Sequence, residues 1–163
     1  MAYDQRGQKV NKQININIES SEKNFFQQGI NALNNKNYSF AASCFQKSFN
    51  ENDGNTDSEK HYYLALALLS GSRPRLHTFS SIHTIEEQLQ LAVKTSPKLF
   101  KACILWSIVK YDYYVLNRIS EKSPSASELA NQGYSITRND IAELLFHIHA
   151  SDNEIWEWMN SRR

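Results

Sequence analysis

The sequence predicts an all-α fold, a stack of antiparallel helix pairs with about seven or eight helices behind a short extended N-terminal tail. Three observations carry that expectation. Apolar residues recur at three- and four-residue intervals through Phe25–Phe49 and again after Ser81. The breaks between such runs are short and polar, as at Asn34–Asn37, which folds one helix back on the next. Helix-start signals stand in front of the later runs, notably the capping-box patterns Ser125-x-x-Glu128 and Ser151-x-x-Glu154.

The chain has 163 residues, enough for one compact domain that buries roughly 70% of its unfolded surface. Eighteen basic and seventeen acidic side chains give a formal charge of +1, so no global field draws it to nucleic acid or anionic lipid. The two cysteines, Cys44 and Cys103, sit in separate apolar helical patterns and read as reduced core residues. Without an N-terminal apolar segment or an apolar run near the ~20 residues that cross a bilayer, a cytoplasmic location is expected.

Residues 1–19 form a separate tail. Ile14, Ile16 and Ile18 alternate with Asn15 and Asn17, which is either a strand that pairs with another chain or a mobile segment. The helical domain is expected over 20–163, with pairs at about 21–53, 57–97 and 98–135 and capping helices at about 137–163. Ser20 or Ser21 is the expected cap of the first helix, whose apolar face holds Phe25, Phe26, Ile30, Ala32 and Leu33. Its partner, from Tyr38, carries Ala41, Ala42, Phe45 and Phe49. After the turn-rich stretch 51–57, Asp57 or Ser58 caps a helix that is apolar almost all round, His61–Leu69, and so belongs in the middle of the stack. Leu99–Ile119 reads as one long helix, followed by a short helix that Gly133 weakens and by a helix capped at Thr137 or Asn139. The terminal Ile155, Trp156, Trp158 and Met159 must dock on the stack to be covered.

The spacing of Gly29, Ala41, Phe45 and Ser48 resembles the tetratricopeptide repeat, in which a small residue lets two helices approach and a later alanine and aromatic fill their seam. Ile85, Leu89, Ala92 and Pro97 fall where a second helix of such a repeat and its terminating proline would. A third repeat would begin near Phe100, with Cys103, Trp106, Ser107 and Lys110 in the places of its Trp, Leu, Gly and Tyr. Ala32 stands where the family has tyrosine. The segment Gly7–Ile18 also resembles linkers that precede effector or sensor modules in multidomain bacterial signalling and defence proteins. The repeat resemblance implies a concave wall made by the first helix of each pair. Phe26, Ile30, Leu33 and Asn34, then Tyr62, then Lys101, Ile104, Ile108, Tyr111 and Asp112 would line it and hold a protein or peptide. Tyrosines at this spacing also read as core residues with wetted hydroxyls.

Relative to that register, about eight residues are inserted at Ser70–Phe79. Arg73, Arg75 and His77 in this loop read either as a clamp for an anion or a partner, or as a connector whose arginines pair with nearby carboxylates.

No catalytic residues, cofactor or metal are expected. His147 and His149 diverge on a helix, Glu143 with His147 supplies only two ligands, and the adjacent Glu86 and Glu87 point apart. The sequence holds no GxSxG, HExxH, CxxC or phosphate-binding glycine loop. A non-catalytic adaptor is therefore the expected function. Two alternatives stand: self-association through the isoleucine strand or the Trp156 helix, and a ligand-sensing or nucleic-acid-related role for the Arg73–His77 loop.

Overall fold

A computed structural model describes residues 24–163. The tail at 1–19, its isoleucines, and the expected caps Ser20 and Ser21 lie outside the described residues. Eight α-helices and no strand occur among the described residues.

Helices α1 (Phe25–Asn34) and α2 (Tyr38–Ser48) form the first pair. Asn24 caps α1, its side-chain oxygen accepting from the Gln27 N–H. Lys36, with φ of 57°, turns the chain in the left-handed region, and the Asn37 N–H donates back to Ala32 at 2.8 Å. At the seam Gly29 leaves room for the fully buried Phe45 ring, and Ala41 is fully buried beside them.

Thr56 caps α3 (Asp57–Leu68), correcting the expectation of Asp57 or Ser58. The Ser58 hydroxyl is instead buried and donates to Ala92 near the end of α4 (Phe79–Thr95) at 2.7 Å. Lys60 is also buried. Its ammonium donates to the Ser48 and Glu51 carbonyls at 2.7 and 3.2 Å and pairs with Asp53 at 3.2 Å, closing the C-terminal end of α2. Burial alone would raise the Asp53 carboxyl, but the Asn55 N–H and Lys60 hold it below its ordinary value.

Each helix from α1 to α6 packs mainly on its sequence neighbours, as a stack of pairs requires. His61–Leu69 is largely buried between α2 and α4, and α5 (Phe100–Lys110) is enclosed further still. Residues 101–110 are all buried, because α5 meets α4, α6 (Ala126–Gln132), α7 (Arg138–His147), α8 (Glu154–Asn160) and the 3₁₀ turn Pro74–Leu76. His61, Tyr63 and Leu68 of α3 keep partial exposure.

The long helix expected at Leu99–Ile119 changes character at Tyr111–Val115, a π-helical turn in which Leu116 N–H reaches the Tyr111 carbonyl at 3.0 Å. Beyond it, Ser125 and Glu128 form the expected capping box of α6, and Thr137 caps α7. Gly133 lies so close to α5 that a Cβ there would meet the Phe100 carbonyl oxygen at 2.9 Å. The cap of α8 is Asn153 rather than Ser151. Trp156 and Met159 are buried, so the terminal helix docks, and the Trp156 indole N–H donates to the Ile148 carbonyl at 2.9 Å. Among the described residues no helix is long and apolar enough to cross a membrane, and both cysteines are buried and unpaired.

Candidate functional site

Phe26 of α1, Tyr62 and Tyr63 of α3 and Lys101 of α5 meet at one place, and the chain's own α7 lies on them. Glu143 of α7 is the centre. Its carboxylate accepts from the Tyr62 hydroxyl at 2.9 Å and the Tyr63 hydroxyl at 3.0 Å, and the Lys101 ammonium lies 3.4 Å away. That ammonium also donates to the Tyr63 oxygen at 2.9 Å, stands 4.0 Å from Asp140, and sits over both tyrosine rings at 4.6 and 4.5 Å. Phe26 and Phe45 hold the Tyr63 ring in place, edge-on at 5.7 Å and stacked at 5.6 Å respectively. Burial, reinforced by the Glu143 charge, pushes the Tyr62 and Tyr63 phenols well above their ordinary range. Both hydroxyls are therefore permanent donors at neutral pH.

At the far end of α7 the Tyr38 hydroxyl and His147 Nδ1 are 2.9 Å apart, and the Lys36 ammonium lies 4.5 Å above the Phe146 ring. These groups edge a shallow basin of about 470 Å³ shared with Ser70, Gly71 and His149. Burial lowers the His147 pKa, so its ring is held neutral.

The residues assigned to a concave wall divide into three groups. Phe26, Tyr62 and Lys101 meet at the inner face, buried under Glu143 and its neighbours. Leu33, Ile104 and Ile108 are core residues, which corrects their assignment to an open wall: α5 is enclosed on every side. Asn34 is exposed, and Ile30 and Tyr111 are half-buried.

Asp112 is fully buried and structural. Its carboxylate accepts from Arg73 at 2.5 and 3.4 Å, from the Arg75 N–H at 3.0 Å and from the Asn153 amide at 3.2 Å. The π turn aims it there, and it ties the 70–79 loop and the α8 cap to α5. Arg73 also pairs with Asp152 at 2.8 Å, and Arg75 reaches the same carboxylate at 3.5 Å. His77 binds the Leu69 carbonyl and the Ser81 hydroxyl, each at 3.0 Å. The cations of the loop thus meet the chain's own acids. Trp156, offered as a self-association surface, is likewise buried.

A second feature was not anticipated as a site. Phe79, His83, Glu86, Glu87 and Gln90 share one face of α4 and, with Trp106, Lys110, Tyr114 and the 119–124 segment, line a cleft of about 320 Å³. Glu86 at its base accepts from the Trp106 N–H at 2.9 Å and the Tyr114 hydroxyl at 2.5 Å, with Lys110 at 3.8 Å. At the rim Phe79 is 65% and Ile119 45% exposed. Leu76 and Val115, also exposed, lie on the 3₁₀ and π turns, which contact each other. The i, i+4, i+7, i+8, i+11 spacing along α4 was visible in the sequence; that the 119–124 segment forms the opposite wall was not.

Where burial acts on reactive groups, it favours their neutral forms. The Cys103 thiol is pushed up to about 11, and the Tyr114 phenol is raised by burial and by Glu86. No group of three His, Cys, Asp or Glu side chains able to hold a metal occurs among the described residues. Comparison with protein-family models, curated proteins and solved structures finds no match.

Proposed function

We propose that the chain is a non-catalytic helical scaffold of tetratricopeptide-like build that recognises a protein or peptide partner through the outer cleft between α4 and the 119–124 segment. One observation carries this reading. Large apolar side chains, Phe79 and Ile119, stand exposed at the rim of a cleft whose polar base is already satisfied by Glu86, Trp106 and Tyr114. Such a cleft gains most from an apolar or aromatic anchor of a partner, because inserting one requires no further desolvation of an unpaired charge. The close Gly29–Phe45 seam and the succession of neighbouring helix pairs support the tetratricopeptide-like part of the reading. The Cys103 thiol, pushed up to about 11 by burial and so kept from its nucleophilic thiolate form, supports its non-catalytic part.

The test is affinity capture from native lysate with three forms of the full chain: wild type, Phe79→Ser with Ile119→Ser, and Leu91→Ser as an exposed control elsewhere on α4. The double variant is expected to lose partners that the control retains. Partners held equally by all three forms refute the cleft assignment.

A further inference from the structure

The inner face and the helix that covers it differ in how firmly they are built in. The helices on either side of α7 are pinned to α5. Before it, Gly133 packs against Ile104 and the Ser107 hydroxyl holds the Ala126 carbonyl at 2.6 Å. After it, the Asn153 amide donates to the Ile108 carbonyl at 3.1 Å and to Asp112. Between those pins α7 has sparse backbone contact with α5 and α8; it is held by its side chains, with Ile141 and Leu144 in the core, His147 bonded to Tyr38 of α2 and Glu143 reaching α3. The face beneath is preorganised: two phenols and one ammonium converge on a single carboxylate, and Phe26 and Phe45 fix the Tyr63 ring.

We propose that α7 is an internal ligand of the α3–α5 face, a strap that opens locally and is exchanged for an acidic amphipathic helix of a partner. The strap itself gives the partner's chemistry. Asp140 and Glu143, one turn apart, face Lys101, and Ile141 and Leu144 directly after them are buried in the core. A competing helix therefore carries two carboxylates three positions apart, each followed by an aliphatic residue. Charge complementarity selects it: the face offers Lys101 and two hydroxyl donors, all directed at the acid. This surface lies apart from the α4 cleft, so the Phe79 and Ile119 substitutions do not bear on it.

The experiment uses the full chain in two parts. In hydrogen exchange, residues 138–147 are expected to exchange at least tenfold faster than α3 and α5, and Tyr63→Phe or Glu143→Ala widens that gap while leaving α3 and α5 protected. In the second part, a labelled synthetic peptide spanning 136–149 is titrated against wild type and Glu143→Ala. It is expected to bind the variant at least tenfold more tightly, because the internal competitor is weakened there. The same peptide with Glu143→Ala is expected to lose at least tenfold in affinity. If α7 exchanges in step with α3 and α5 in wild type and in Tyr63→Phe, the strap does not open separately and the proposal fails. Peptides with and without the glutamate binding alike, or neither binding, also overturns it.

Discussion

Replacing Gly29 by alanine tests the seam on which the first helix pair depends. A Cβ at this position would lie 2.6, 2.8 and 2.9 Å from three carbons of the Phe45 ring. Those separations are roughly 0.6–1 Å inside the ~3.5 Å at which carbon atoms attract rather than repel. The ring cannot slide away cheaply, because Phe26 meets it edge-on at 5.7 Å and Tyr63 stacks on it at 5.6 Å. Relief therefore requires α1 and α2 to move apart, and overpacking of this kind costs about 1–3 kcal/mol. Alanine returns about 1 kcal/mol through helix propensity, leaving a net loss of up to about 2 kcal/mol. Urea unfolding followed by circular dichroism measures that loss, and in thermal melts it is a drop of up to about 8 °C. The diagnostic arm is the same substitution in a Phe45→Leu background. With the ring removed, Gly29→Ala is expected to be neutral or to stabilise by up to about 1 kcal/mol. A Gly29→Ala single variant that melts above wild type would refute the close-approach argument.

Three further outcomes follow from the buried polar groups. Asp112→Asn keeps the shape but removes the charge held against Arg73 at 2.5 Å; because Arg73 is partly exposed, the expected cost is about 1–3 kcal/mol in urea titration. The same variant should alter Trp156 fluorescence, since Asn153 caps α8 from this knot. Lys60→Met leaves two buried carbonyls and Asp53 without their cation, and a loss of about 2–4 kcal/mol is expected from denaturant curves. Stability is expected to fall at both ends of the pH range. Asp53 has a lowered folded pKa, so its contribution is complete above the unfolded value of about 3.9 and is lost as pH falls through the folded value. Tyr62 has a raised one, so its contribution is complete below about 10 and is lost as pH rises further. Asp53→Asn and Tyr62→Phe should flatten the acid and alkaline limbs respectively in melts taken across pH.

Local order was legible wherever one face of a helix decides its fate. Phe25–Asn34 and Tyr38–Ser48 came directly from apolar spacing and from a turn too short to allow anything but reversal. Caps were read less well. Ser125 held, but Asp57, Ser58 and Ser151 lost to Thr56 and Asn153, because each pattern offered several oxygens within two residues and only the entry path of the chain selects one. The π turn at Tyr111–Val115 left no periodic signature. Within it Asp112 bonds Arg73, Arg75 and Asn153, residues 37 to 41 positions away that no local pattern brings together. The assignment of Ile104 and Ile108 to an open wall failed for a related reason: an apolar helix surface does not say whether a neighbour or a partner covers it. Only the full burial of residues 101–110 decides that α5 is wrapped by its own chain.

That wrapping changes what a binding partner has to do. In an open stack, an inner wall is free and affinity follows from contacts made. Here Tyr62, Tyr63 and Lys101 are already satisfied by Glu143, so a partner helix that made the same three contacts would gain nothing net per contact. It would also compete with a tethered strap whose effective concentration is roughly millimolar for a short linker. A partner present at about 1 μM must therefore bind the face about a thousandfold better than α7 does to occupy half of it, a difference of about 4 kcal/mol. Two routes supply that margin within this geometry. A partner helix can place an acid against Lys101 more closely than Asp140 does at 4.0 Å, or α7 can be weakened where Tyr38 meets His147. The second route has a sign that can be checked. The His147 pKa is lowered by burial, so protonation on acidification works against the docked strap, and α7 should open more readily as pH falls below the ordinary histidine value of about 6.5. Exchange rates of residues 138–147 that, after correction for intrinsic chemistry, show no rise between pH 7 and pH 5.5 would remove His147 from the latch and leave the strap to Glu143, Asp140 and the buried Ile141 and Leu144.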